Sequence, residues 1–124
     1  VSAATTLTAA DTTTSVSAKA ITGSNVTIAS GFASRISIKA IAKRSDGIID
    51  GAAAFSIEGA FYNLGSGPVA AGSPQSSIIG FENDGINYAL AFGIVGNDIV
   101  AVAYGSSGVV EWVCQIEYQM VNTP

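Results

Sequence analysis

The sequence predicts an all-β chain, an antiparallel, jelly-roll-like β-sandwich of about eight strands, and three observations carry that expectation. The stretch Gly108 to Met120 alternates large apolar and polar residues for longer than any other segment. It places Trp112, Cys114, Ile116, Tyr118 and Met120 on one face and Glu111, Gln115, Glu117 and Gln119 on the other. A second alternator, Arg35 to Lys43, sets Ile36, Ile38, Ala40 and Ala42 against Arg35, Ser37, Lys39, Ile41 and Lys43. Turn signals recur between stretches of this kind, and no segment carries an apolar stripe at helical spacing.

Taken in order, Val1 to Ser30 is rich in Thr, Ser and Ala, with only Asp11 and Lys19 ionised. Its Thr and Val suit a pleated surface, giving short strands near Thr5 to Leu7, Ser15 to Ile21 and Asn25 to Ala29, with Asp11 or Gly23-Ser24-Asn25 as turns. For residues 1–12 the alternative is an extended arm laid along a neighbouring subunit. Gly31-Phe32 opens the Arg35 to Lys43 strand. Ser45-Asp46-Gly47 reads as a hairpin turn, Ile48 to Gly51 as a short loop, and Ala52 to Tyr62 as the returning strand, with Phe55, Ile57, Gly59 and Phe61 on one face. Asn63 to Gln75 has no strand pattern and reads as a connection whose neutral character favours packing on protein. Ser77 to Phe81 is a short strand, Glu82-Asn83-Asp84-Gly85 a turn, and Ile86 to Val95 a longer strand with Tyr88, Leu90, Phe92 and Ile94 on one face. Gly96-Asn97-Asp98 turns the chain into Ile99 to Tyr104, an apolar central strand, and Gly105-Ser106-Ser107-Gly108 leads into the last one. The expected core centres on Phe55, Ile57, Leu90, Phe92, Trp112, Ile116 and Tyr118.

The 124 residues fit a single domain, 1–124, large enough to bury a core without staples. Hydrophobic residues make up 48% and charged residues 11%, yet every apolar run falls well short of the roughly 18 residues of a membrane helix. So little charge leaves apolar surface to be hidden between subunits, which predicts a symmetric homo-oligomer, a homotrimer first, with Val1 to Ala10 and Asn63 to Ser73 as contact segments. A net charge of −4 argues against a nucleic-acid partner. No leader precedes the strands, and a chain opening Val1-Ser2 is what trimming an initiator Met leaves, so a complete gene product is expected.

Catalytic chemistry has few candidates. The sequence has no His, which removes the commonest general base and metal ligand. Glu82 with Asp84 and Asp46 with Asp50 sit at turn signals as solvated acids, without the spacing of a calcium loop. Cys114 falls on the Trp112 face as a buried thiol. No enzyme, metal or cofactor is therefore expected. Four of the five basic residues, Arg35, Lys39, Lys43 and Arg44, fall within ten positions, and the first three share strand parity. They form a docking stripe for an acidic partner surface, an exposed edge strand protected by charge, or cross-strand pairs with Glu58, Glu111 or Glu117.

The order Arg35-x-Ser-Ile-Lys-Ala-Ile-Ala-Lys-Arg-Ser-Asp46-Gly47, then Ala54-Phe55-Ser-Ile57-Glu58-Gly59-Ala60, then Tyr88, Ile99-Val-Ala-Val102 and Val110-Glu-Trp112-Val113-x-x-Ile116-Glu117, resembles a small β domain. That domain closes many bacteriophage fibre and virion-surface proteins. The resemblance runs from about Leu7 to Val121 and implies phage virion structure. Family members usually carry fibre or repeat segments ahead of the domain. Their absence here points to a free-standing piece on the capsid surface, a decoration or cement protein bound to the major capsid protein. The alternative is a fibre-tip or receptor/carbohydrate-binding module, for which exposed Tyr62, Tyr104 or Trp112 would line a groove.

Overall fold

Ten strands in two antiparallel sheets make up the computed structural model, which describes residues 3–14, 18–44, 52–81, 88–104 and 109–122. In chain order they are β1 (Ala3–Thr13), β2 (Lys19–Ala20), β3 (Val26–Thr27), β4 (Phe32–Arg44), β5 (Ala52–Asn63), β6 (Pro68–Ala70), β7 (Gln75–Phe81), β8 (Ala89–Val95), β9 (Asp98–Tyr104) and β10 (Val110–Asn122). The six-stranded sheet runs β1-β10-β4-β5, with β6 and β7 sharing the far edge of β5. In the four-stranded sheet β9 is central, with β8 on one side and the two-residue strands β2 and β3 on the other.

The sandwich follows from the alternation. Along most of β4, β5 and β10 every second residue is apolar, so the three longest strands bury one face together and must cover it. The cover is the second sheet: Ile36, Ile38, Phe55, Ile57, Trp112 and Ile116 join one core with Ile21, Val26, Ile28, Leu90, Ile99 and Ala101. Aromatic contacts close the layers. Phe61 of one sheet meets Phe92 of the other edge-on, centroids 5.0 Å apart at 73°, and Trp112 stacks on Phe55 at 5.8 Å while taking Tyr88 edge-on at 6.3 Å. Of the expected core, Phe55, Ile57, Leu90, Trp112 and Ile116 are buried, and Phe92 and Tyr118 are half-buried against it.

Local expectations change in four places. Asp11 is not a turn: β1 runs unbroken past it and pairs with β10 along its whole length, so residues 3–13 form a strand of their own chain's sheet. Asn63 to Gln75 is not all connection, because Pro68–Ala70 pairs with the end of β5. Ile94, on the parity of Tyr88 and Leu90, stays outside the core at 50% exposure. Arg35, Lys39 and Lys43 do not guard an edge, because β4 lies between β10 and β5. Ser45-Asp46-Gly47, Ile48 to Gly51, Glu82 to Gly85 and Gly105 to Gly108 lie outside the described residues.

Two buried polar side chains stand in where the main chain cannot pair. Between β2 and β3 the chain leaves β9. There the Ser24 hydroxyl donates to the Ile21 carbonyl (2.7 Å) and accepts from the Ala101 N–H (3.0 Å). Asn63 ends β5 by donating from Nδ2 to the Ile28 carbonyl (2.8 Å), while its Oδ1 accepts from the Gly65 and Gly67 N–H groups. The turn needs glycine there, since φ is +120° at Gly65 and +104° at Gly67.

Candidate docking surface

The outward face of the six-stranded sheet is built by parity and register. Outward residues of β1, β10, β4 and β5 stand opposite one another in transverse rows. One row is Thr12, Glu111, Lys43 and Ala52; the next is Ala10, Val113, Ile41 and Ala54; then come Thr8, Gln115, Lys39 and Ser56, followed by Thr6, Glu117, Ser37 and Glu58. The second row is apolar. Ile41 is 55% and Val113 48% exposed, and they floor an open depression of about 540 Å³ with Lys39, Ala54, Ser56 and Gln115 at its sides. A second depression, of about 410 Å³, lies around Thr6, Glu117, Ser37 and Arg35.

The sequence places Arg35, Lys39 and Lys43 on one face, and the structure puts them there, spaced about 13 Å apart along β4. The carboxylates expected across from them, Glu58, Glu111 and Glu117, stand on the same face. Arg35 is ion-paired with Glu58, Glu111 stands directly opposite Lys43, and Glu117 stands opposite Ser37, between Arg35 and Lys39. Three cations thus share the face with three carboxylates, and the stripe belongs to a balanced mosaic. Lys39 and Lys43 make no ion pair with a described residue. Ile41 and Val113 are the surface residues that reading β4 and β10 for charge passes over. The signal was present, as a β-branched apolar residue on the polar parity of each strand.

The aromatic candidates do not converge. Trp112 is 1% exposed and belongs to the core, Tyr62 is half-buried on the outward face, and Tyr104 ends β9 in the other sheet at 38% exposure. Among the carboxylates, Asp46, Asp50, Glu82 and Asp84 lie outside the described residues, and no group of three or more described His, Cys, Asp or Glu residues is placed to hold a metal ion. Asp11 is occupied structurally: Oδ1 accepts from Lys19 Nζ (2.8 Å) and the Thr12 N–H, and Oδ2 from the Thr22 N–H and hydroxyl. The Lys19 ammonium, then the Thr22 and Thr12 N–H groups, hold its carboxyl far below the usual carboxylate range. The Thr27 hydroxyl, then the Asn25 amide, lower Asp98 as they join β3 to β9. Burial pushes the Cys114 thiol up to about 11, which makes it a poor nucleophile.

No family model matches the sequence, and no curated protein matches it. Among solved structures, the chain is similar to the tailspike protein of Acinetobacter baumannii phage AM24, with a TM-score of 0.47 and 12% sequence identity over 92% of this chain and 26% of that one. The chain spans about a quarter of the tailspike's length.

Proposed function

We propose that the chain is a structural protein of a bacteriophage virion, a decoration or cement protein. It lies on the outer face of the capsid and clamps neighbouring copies of the major capsid protein as a symmetric homo-oligomer. The observation that carries this reading is the outward sheet face, where an exposed apolar row is set between interleaved charges; the sequence resemblance supplies the virion setting. Four strands about 4.8 Å apart and some 13 residues long at about 3.3 Å each cover about 800 Å², the area one partner gives to a standard interface. Ile41 and Val113 supply apolar contact in the row next to its Lys43 end. The charges around them fix register and partner choice more than affinity. Lys39 and Lys43 contribute more to docking than Arg35, whose guanidinium is already ion-paired with Glu58. Several linked copies engaging equivalent lattice sites gain avidity from contacts that are individually weak. The function uses contact area in place of catalysis.

The second reading, a receptor- or carbohydrate-binding module of a fibre tip, draws on a depression of about 270 Å³ at the end of the same face, where Tyr62 lies with Ala33, Ala71 and Val121. Pelleting with capsids stripped of the protein separates the two. Wild type should cosediment, and Ile41→Asp/Val113→Asp and Lys39→Glu/Lys43→Glu should stay in the supernatant with melting temperatures close to the parent's. If both variants pellet like wild type, the outward face is not the dock. If wild type instead binds host cells and loses that binding on Tyr62→Ala, the module reading replaces this one.

A further inference from the structure

β1 closes one side of the six-stranded sheet, and no described residue pairs with its outer edge. Which main-chain groups face that edge follows from the ladders. The Ala60 carbonyl turns away from β4 to accept from the Ala71 N–H, and alternation carries the phase across the sheet. Arg35 turns to β10, odd-numbered residues of β10 turn to β4 and even-numbered ones to β1. The odd-numbered residues of β1 are thereby spent on β10, and the even-numbered ones direct N–H and C=O outward. Thr12 agrees: its N–H donates to Asp11 Oδ1 (2.8 Å) and its carbonyl accepts from Lys19 Nζ (3.0 Å), both outside the ladder. The Asp11–Lys19 pair therefore caps one end of the edge and leaves Ala4, Thr6, Thr8 and Ala10 open. Pairing with β10 has no bulge, and Thr6, Thr8 and Ala10 are exposed and uncharged. None of the devices that blunt an edge strand occurs along these four residues.

We propose that this edge pairs with the β1 of a second copy, antiparallel about a two-fold axis at Leu7, so that two sheets become one. In that register Ala4 stands opposite Ala10 and Thr6 opposite Thr8 on both sides of the axis. Four pairs each exchange two bonds, about eight in all. The ladder uses the open groups and stops short of Thr12, whose groups are already taken. Moving the axis to Thr8 would force the capped Thr12 into the ladder, and moving it to Thr6 would leave Ala10 beyond the end of the partner strand. At Leu7, Asp11 falls opposite Ala3, so no like charges meet, and Thr6 with Thr8 is a favourable cross-strand pair. A second copy is the fitting occupant because the edge complements itself in a single register. The inference does not depend on the virion reading.

Light scattering and amide hydrogen exchange on the purified chain test it. The expected mass is that of a dimer, with the Thr6, Thr8 and Ala10 amides slowing as concentration rises. Thr8→Pro removes one outward N–H per copy at a position where proline suits an edge strand. The loss of two bonds should weaken the dimer about thirtyfold, while Thr8→Val, which retains the amide, stays dimeric. Thr6→Lys/Thr8→Lys, which keeps every main-chain group and sets ammonium groups opposite one another, should dissociate it equally. A monomer at high concentration with fast exchange at these amides overturns the proposal. So does a trimer whose mass Thr8→Pro leaves unchanged, or protection that arises only when a different polypeptide is added.

Discussion

Replacing Trp112 by alanine should cost about 3–5 kcal/mol, the range for emptying a buried large aromatic site. The site offers no route to collapse. The indole is 1% exposed, stacked on Phe55 with an interplanar angle of 25° and met by the edge of Tyr88 at 80°. Its Nε1–H donates to the Thr13 hydroxyl (3.2 Å), which itself reaches the Val110 carbonyl. The substitution therefore removes the ring that bridges β5 and Tyr88, and it strips the donor from a buried hydroxyl, so the loss belongs at the upper part of the range. Unfolding entropy of about 2.1 cal/mol/K per residue over 124 residues makes each kcal/mol worth about 4 °C, so the melting temperature should fall by about 12–20 °C. Trp112→Phe, which keeps a ring on Phe55 and loses only the N–H and part of the volume, should cost about 1–2 kcal/mol. Thermal and urea unfolding followed by circular dichroism read both. A Trp112→Ala protein that melts within about 2 °C of the parent would refute the packing argument and place the indole at the surface.

Asp11 and Asp98 have carboxyls held below their ordinary value of 3.8 in the folded state, so each contributes stability that is present above that value and is lost as pH falls below about 4 toward the lowered folded values. Melting temperature should drop steeply with acid in that window. Asp11→Asn should flatten the drop without abolishing it, and equal slopes for parent and variant would contradict the account. Gly93→Ala should cost about 1–3 kcal/mol, because a Cβ there would lie 2.6 Å from Val102 Cγ2 and 3.3 Å from Val100 Cγ2, both on stiff β-branched side chains; a neutral effect in urea titration would show that β8 and β9 have room to part. Ser24→Ala should cost about 1–3 kcal/mol by leaving the Ala101 N–H without its acceptor, and unchanged exchange at that amide would refute the bridging role.

Legibility tracked the source of each signal. Strands β4, β5 and β10 are readable because period-two alternation records one buried face, β9 because a short continuous apolar run marks a central strand, and the same parity places Arg35, Lys39 and Lys43 together. The sequence nominates Glu58, Glu111 and Glu117 as cross-strand partners of the stripe, and all three share its face; only register decides that Glu58 pairs with Arg35, that Glu111 faces Lys43, and that β4 is central and no edge. The apolar row through Ile41 and Val113 was lost for the same reason, since it exists only once β10 and β4 are aligned. Asp11, Ser24 and Asn63 were misread or missed because turn-forming residues also serve as side-chain substitutes for main-chain pairing, and local sequence does not separate the two uses. Pro68–Ala70 escaped because three residues are too few to show a period.

The central claim is tested most directly by counting the protein on purified virions, by quantitative mass spectrometry together with its position in an averaged image of the particle. The account predicts copies in a fixed ratio to the major capsid protein, seated on the outer shell with the face of Ile41, Val113, Lys39 and Lys43 against the lattice. A handful of copies per particle, confined to the tail or its fibres, would contradict it.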